Sequence, residues 1–124
     1  MCKVLLPIKP EYAKQIFEGT KTFEYRKSRF KRQNVDSIVI YVTAPVKKII
    51  GEVKLLDVLE GTPSLIWEKT NENGGIKRKA YDAYFENKDI AVAYVLGRIY
   101  RYKKAKLLEE LNINYPPQSY IYLD

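Results

Sequence analysis

The chain of 124 residues contains no histidine and one cysteine, Cys2. Without histidine the commonest general base is missing, so nucleophilic chemistry of the Ser-His or Cys-His kind is excluded. A single thiol closes no internal disulfide, which suits a reducing compartment. Nor can one cysteine and no imidazole build the usual protein zinc site. No apolar run approaches a membrane span, and Met1–Ile8 is too short for a secretory signal and lacks a small-residue cleavage site. Glycine and proline number six each, with no repeats or low-complexity tracts, so nothing reads as an interdomain linker. The expectation is a single domain, 1–124, large enough for a core without staples.

What the chain has in excess is positive charge and tyrosine. Lys and Arg outnumber Asp and Glu 22 to 15, a net charge of +7 with a pI near 9.4. That balance leans toward polyanions, because neutralising phosphates releases counterions. The eleven tyrosines offer flat apolar faces with polar tips, suited to stacking on bases and equally to filling a core.

One stretch organises the rest. Tyr12, Ala13, Ile16 and Phe17 fall on one helical face, between Pro10, which can open a helix, and Gly19, which can end one. After Gly19 the period drops to two: Thr22, Glu24 and Arg26 share one strand face, Phe23 and Tyr25 the other. Glu24 and Arg26 are thus placed to orient one another, with Lys21 bringing a third charge to the start of the strand.

Gly19, Lys21, Glu24 and Arg26 form a Gly-x-Lys-x-x-Glu-x-Arg octet that resembles the signature of the ASCH (activating-signal-cointegrator homology) family, within the PUA-like superfamily. Further matches are the strand Asp36–Thr43, the run Lys48 to Val53, and the terminal Pro116 to Tyr120. The resemblance implies a small PUA-like β-barrel with RNA bound in a cleft lined by the motif. Some relatives resemble nucleases. One bacterial branch resembles an amidohydrolase of acetylcytidine, with a lysine matching Lys21 but a threonine where this chain has Glu24. That branch's further acidic residue has three candidates here, Glu68, Glu72 and Glu86.

The remaining chain alternates strands and helices. Strands are expected at Val4–Ile8, Thr22–Lys27, Asp36–Ala44 and Lys48–Leu59, the last with a bulge at Leu55-Leu56. Helices are expected at Pro10–Glu18, at Ser64–Thr70 behind the Thr62-Pro63 cap, and at Ile76–Glu86. A strand over Asp89–Leu96, with Ile90, Val92, Tyr94 and Leu96 on one face, continues past Gly97 through Tyr102. A helical turn is expected within Leu107–Leu111, and a last strand, Gln118–Leu123, pairing near the signature strand. The fold class is therefore α+β, a small, mostly antiparallel PUA-like barrel with flanking helices.

Two other stretches invite a nucleic-acid reading. Arg26-Lys27-Ser28-Arg29-Phe30-Lys31-Arg32 is the densest basic run, a solvated loop or a phosphate-tracking edge with Phe30 as a stacking platform. Arg98 and Tyr100 interleave charge with aromatic surface on one strand face. The candidate nucleic-acid contacts are Lys21, Glu24, Arg26, Arg29, Phe30, Arg98 and Tyr100.

Lys21, Glu24 and Arg26 support three roles. As a recognition cleft, Arg26 offers a planar fork of donors and Glu24 accepts from an amine or a ribose hydroxyl. As a catalytic set, Lys21 with a lowered pKa serves as base or nucleophile and Glu24 shuttles the proton. As a structural pair, Glu24 and Arg26 lock the mouth of the barrel. The leading expectation is a domain binding RNA or a modified nucleoside, in transcription- or translation-linked regulation. The alternative is a small amidohydrolase or ribonuclease-like enzyme with Lys21 and Glu24 catalytic. With either go a cytoplasmic monomer, no cofactor, no metal and no membrane.

Overall fold

The computed structural model describes residues 2–123. Six strands and three helices follow in the order β1 (Cys2–Ile8), α1 (Pro10–Glu18), β2 (Phe23–Arg26), β3 (Val35–Val42), β4 (Lys48–Gly61), α2 (Pro63–Thr70), α3 (Arg78–Tyr84), β5 (Ala91–Lys106) and β6 (Ile121–Leu123). Two 3-10 turns, Asn71–Asn73 and Leu108–Leu111, join them. Among the described residues no helix is long and apolar enough to cross a membrane.

The strands form one mixed sheet in the order β2-β5-β4-β3-β1-β6. β1 and β3 run parallel, and the other four ladders are antiparallel. The expected closed barrel is corrected here: β2 and β6 are the two edges, and among the described residues no backbone ladder joins them. The gap is spanned instead by side chains and by the chain that follows β2. Arg26 on β2 donates to the Pro7 carbonyl of β1 at 2.6 Å. The Phe30 ring stacks on Tyr94 of β5 at 4.4 Å and meets Tyr120 edge-on at 4.9 Å, while the Arg32 amide donates to the Tyr122 hydroxyl at 3.0 Å. The last strand is likewise displaced from its expected place. It pairs with β1, Lys3 opposite Leu123, at the far edge from the signature strand.

Three apolar clusters account for the layers. Val4, Leu6 and Ile8 of β1 meet Ile38, Ile40, Val53, Val92 and Tyr94 on the concave face, with Ala13 and Ile16 of α1 against them. On the other face Ala91 and Ala93 make room for Ile66, Tyr81 and Phe85 of the α2–α3 segment. Leu5, Val39, Tyr41 and Ile49 lie under Ile113, Leu111 and Ile121 from the C-terminal segment. β3 is therefore buried on both faces. Ile90, expected to share a strand face with Val92, Tyr94 and Leu96, lies ahead of β5 and is 44 % exposed.

The local rules explain the ends of the elements. α1 stops where Gly19 turns left-handed at φ 85, and α2 opens where the Thr62 hydroxyl accepts from the Leu65 amide at 3.2 Å. The bends in β4 fall at register shifts flanking Leu55, as expected. α3 is shorter than expected, beginning at Arg78 and ending at Tyr84.

Candidate nucleotide-binding site

The site grows out of the turn after α1. The amides of Thr20 and Lys21 both donate to the Gln15 carbonyl, at 3.0 and 3.1 Å, reversing the chain and directing the Lys21 side chain inward. A second segment closes over it: the Thr22 amide donates to the Asn73 carbonyl at 2.9 Å, and Lys21 Nζ donates to the Gly74 carbonyl at 2.5 Å. Side chains at 74 and 75 have no room. A Cβ on Gly74 would collide with the Tyr25 hydroxyl, and one on Gly75, at φ +70, with Gln15 and Lys21. Tyr25 is itself held by a hydrogen bond of 2.6 Å to Thr70.

Lys21 is therefore a buried ammonium, 3 % exposed, 5.3 Å from the Tyr12 ring centre and 5.0 Å from that of Tyr25. Burial pushes its pKa down; Glu24 opposes that shift, and Arg26 adds to it. Glu24 is 7 % exposed. Its Oε2 accepts from Arg26 at 3.2 Å from Nε, and its Oε1 lies 3.8 Å from Lys21 Nζ. Two cations and one carboxylate leave this group with one net positive charge, largely shielded from water.

Glu24 and Arg26 open onto a cavity of about 520 Å³. It lies on the open seam of the sheet, between Pro7 and Ile8 at the end of β1, Tyr12 on α1, and Ala80 and Tyr84 on α3. Lys21 does not line it; its ammonium sits behind the Tyr12 and Tyr25 rings. At the rim Lys27 Nζ stands 4.7 Å from the centre of the Tyr84 ring. Burial raises the Tyr84 pKa, keeping its phenol a neutral donor. No group of three or more Cys, Asp or Glu side chains is set to hold a metal ion among the described residues.

The ASCH domain family model matches residues 6–99, from the end of β1 to the middle of β5. The chain belongs to the ASCH family. It is 31 % identical to a protein named as an ASCH domain-containing ribonuclease from Zymomonas mobilis, over 98 % of this chain and 84 % of that protein. The crystal structure of ASCH from Zymomonas mobilis superposes with a TM-score of 0.88 at 29 % identity, covering 98 % of this chain and 87 % of that one. Large ribosomal subunit protein uL22 of Ureaplasma parvum carries a stretch 33 % identical over 97 % of this chain, which spans 39 % of that protein's length. The N-terminal domain of Staphylothermus marinus McrB, at 13 % identity and a TM-score of 0.52, shares the fold alone.

Of the residues singled out in the sequence, this ASCH domain brings Lys21, Glu24 and Arg26 together. The others lie elsewhere. Arg29 pairs with Glu60 at 3.7 Å on an exposed surface. Phe30 is 8 % exposed and stacked on Tyr94, so its ring is spent inside the protein and offers no free platform. Arg98 and Tyr100 are exposed on the distal half of β5, outside the cavity. None of Glu68, Glu72 and Glu86 lines the cavity. Sequence reasoning missed Tyr84 on the cavity wall and Gly74 behind Lys21, and it reached Lys27, close to the Tyr84 ring, only as one member of the basic run. The signal that could have marked the loop over Lys21 is the Gly74-Gly75 pair.

Proposed function

We propose that this cavity binds one nucleotide unit of a single-stranded RNA. The observation that carries the reading is the buried Lys21–Glu24–Arg26 group, one positive charge in excess, on the wall of a cavity flanked by Tyr12 and Tyr84. A net positive charge shielded from water attracts an anion far more strongly than a solvated one does. Aromatic rings beside it suit the face of a base. The volume falls within the range of roughly 300–1,000 Å³ usual for small-ligand sites. In this reading Arg26 directs its remaining donors at a phosphate or a base edge, and Glu24 Oε1 accepts from an amine or a ribose hydroxyl. The name of the Zymomonas mobilis relative supports RNA as the polymer, and the likeness to part of a ribosomal protein supports a role in translation-linked or transcription-linked regulation. The setting that goes with this reading is a cytoplasmic monomer acting without metal or cofactor.

The test is equilibrium binding of a short single-stranded RNA at physiological salt. Arg26→Ala removes a charged donor and is expected to weaken binding at least about tenfold. Combined with Lys21→Met, which keeps the buried volume, it abolishes binding. Unchanged affinity in the folded double variant retires the reading.

Cleavage of the RNA is the second reading, favoured by the depressed pKa of Lys21 beside Glu24 and by the relative's name. The 2′-hydroxyl proton would pass to Glu24 as the 2′ oxygen bonds to phosphorus, the 5′ oxygen leaving with a proton from Lys21. Binding takes precedence because Lys21 is fastened to the Gly74 carbonyl behind the cavity wall. RNA that is cut while its 2′-deoxy counterpart stays whole, with the cutting lost in Lys21→Met, would put cleavage first. Nothing favours the acetylcytidine amidohydrolase: Glu24 stands in place of its threonine, and no second carboxylate reaches the cavity.

A further inference from the structure

The distal half of β5 has no part in the cavity. From Gly97 to Leu107 it carries Arg98, Arg101, Lys103, Lys104 and Lys106 and no carboxylate. None of these five cations has an ion pair among the described residues. The register sets Lys106 opposite Ile49, which brings the exposed Lys47 of the preceding turn and Lys48 at the start of β4 to the same end of the ladder. The nearest carboxylate across the ladder, Glu52, is already engaged, by Lys3 at 2.8 Å and by the Tyr102 hydroxyl at 2.7 Å. In the turn that follows, the Glu110 carboxylate accepts from the Leu107 amide.

Within this field Tyr100 is 60 % exposed. Its ring rests edge-on against Tyr102, 5.6 Å between centres, while Lys106 Nζ stands 4.9 Å from the centre of the Tyr102 ring. β2 pairs with β5 only from Val92 to Val95, so beyond that ladder β2 leaves the edge of β5 uncovered. Lysines on an exposed edge can serve only to discourage strand pairing. That purpose does not call for a bare tyrosine among them, nor for further lysines on the neighbouring strand.

We propose that this half of β5 is a second binding surface, which takes the backbone of single-stranded RNA along Arg98, Lys104 and Lys106 and stacks one base on Tyr100. Cations that track phosphates beside an open aromatic face are the usual means of holding a single strand without reading its sequence. The proposal rests on the RNA reading of the cavity for the polymer but uses none of its residues. At about 3.3 Å per residue, Arg98 lies roughly 20 Å along the strand from Val92, the partner of Arg26. The two surfaces are therefore separable by mutation.

The experiment compares a mononucleotide with a single-stranded RNA long enough to span several phosphates, each titrated over a range of salt. In the triple variant Arg98→Ala, Lys104→Ala, Lys106→Ala the long RNA is expected to bind more weakly, and the slope of log affinity against log salt to shrink by about 2. Tyr100→Ala is expected to weaken the long RNA about fivefold or more. Mononucleotide affinity stays as in the parent. Should the triple variant not fold, Arg98→Ala and Tyr100→Ala singly give the same test at exposed positions. Long-RNA affinity and salt slope equal to the parent's overturn the proposal and leave the cavity reading standing. If anionic lipid vesicles, and not RNA, lose binding in the variants, the proposal is overturned in favour of a membrane surface. A parent that binds long RNA but no mononucleotide, with the variants impaired, supports this surface and removes the cavity reading.

Discussion

Lys21 sits in a place where water barely reaches it, and its surroundings are mostly not charged. Its amino group donates a hydrogen bond to the Gly74 carbonyl, and two tyrosine rings flank it. Glu24 stands at 3.8 Å, beyond a normal hydrogen bond. The lysine thus depends on a backbone position that admits no side chain. Gly74→Ala is expected to displace either the Tyr25 hydroxyl from Thr70 or the 74 carbonyl from Lys21, at a cost of about 1–3 kcal/mol. Thermal unfolding measures that cost, and nucleotide affinity should fall with it; a variant as stable as the parent would show that the loop is slack. The octet made Glu24 and Arg26 legible because strand period two puts them on one face, and it set Lys21 at the start of that strand. The octet did not announce that Lys21 would be covered. Burial is decided by Gly74, more than fifty residues later, and no local pattern encodes so distant a contact.

At the scale of elements, short-range chemistry was the most readable. α1 lies where Pro10 and Gly19 put its ends, and α2 begins where Thr62 caps it. Thr62→Ala removes that cap and is expected to cost about 1 kcal/mol, read as a lower urea midpoint with an unchanged slope. A midpoint equal to the parent's would mean that Pro63 alone starts the helix. Strand partners were less readable. β5 runs for 16 residues through Lys103–Lys106, where a lysine-rich run has weak strand preference, and the pairing of Lys106 with Ile49 holds its end to β4. Asp36–Ala44 was legible as a strand, but not that Val39 and Tyr41 would lie under the C-terminal segment. The sequence of a strand does not say which of its faces a later segment will cover.

For the molecule as a whole, alkaline pH is the natural probe. Burial pushes the phenols of Tyr81 and Tyr94 up from 10.0 to about 12 in the fold. The unfolded chain therefore releases these protons first. Their contribution is complete below about pH 10 and is lost as the pH climbs toward about 12. Lys21 has the opposite sign, since its depressed pKa means that rising pH relieves a cost of folding. The melting temperature is expected to fall across that window, with phenolate absorbance rising as unfolding proceeds. Tyr94→Phe should flatten part of the slope, and a parent melting temperature that stays level would refute the assignment.

The topology was the least legible feature of all, because a family likeness gives a general architecture and not which strands end up unpaired. The uncaptured detail is the guanidinium of Arg26. One side chain both grips the rim of β1 and faces whatever occupies the hollow beside it. On the proposed reading, a guest that drew the guanidinium away from the Pro7 carbonyl would also release the tie that this side chain makes between β2 and β1.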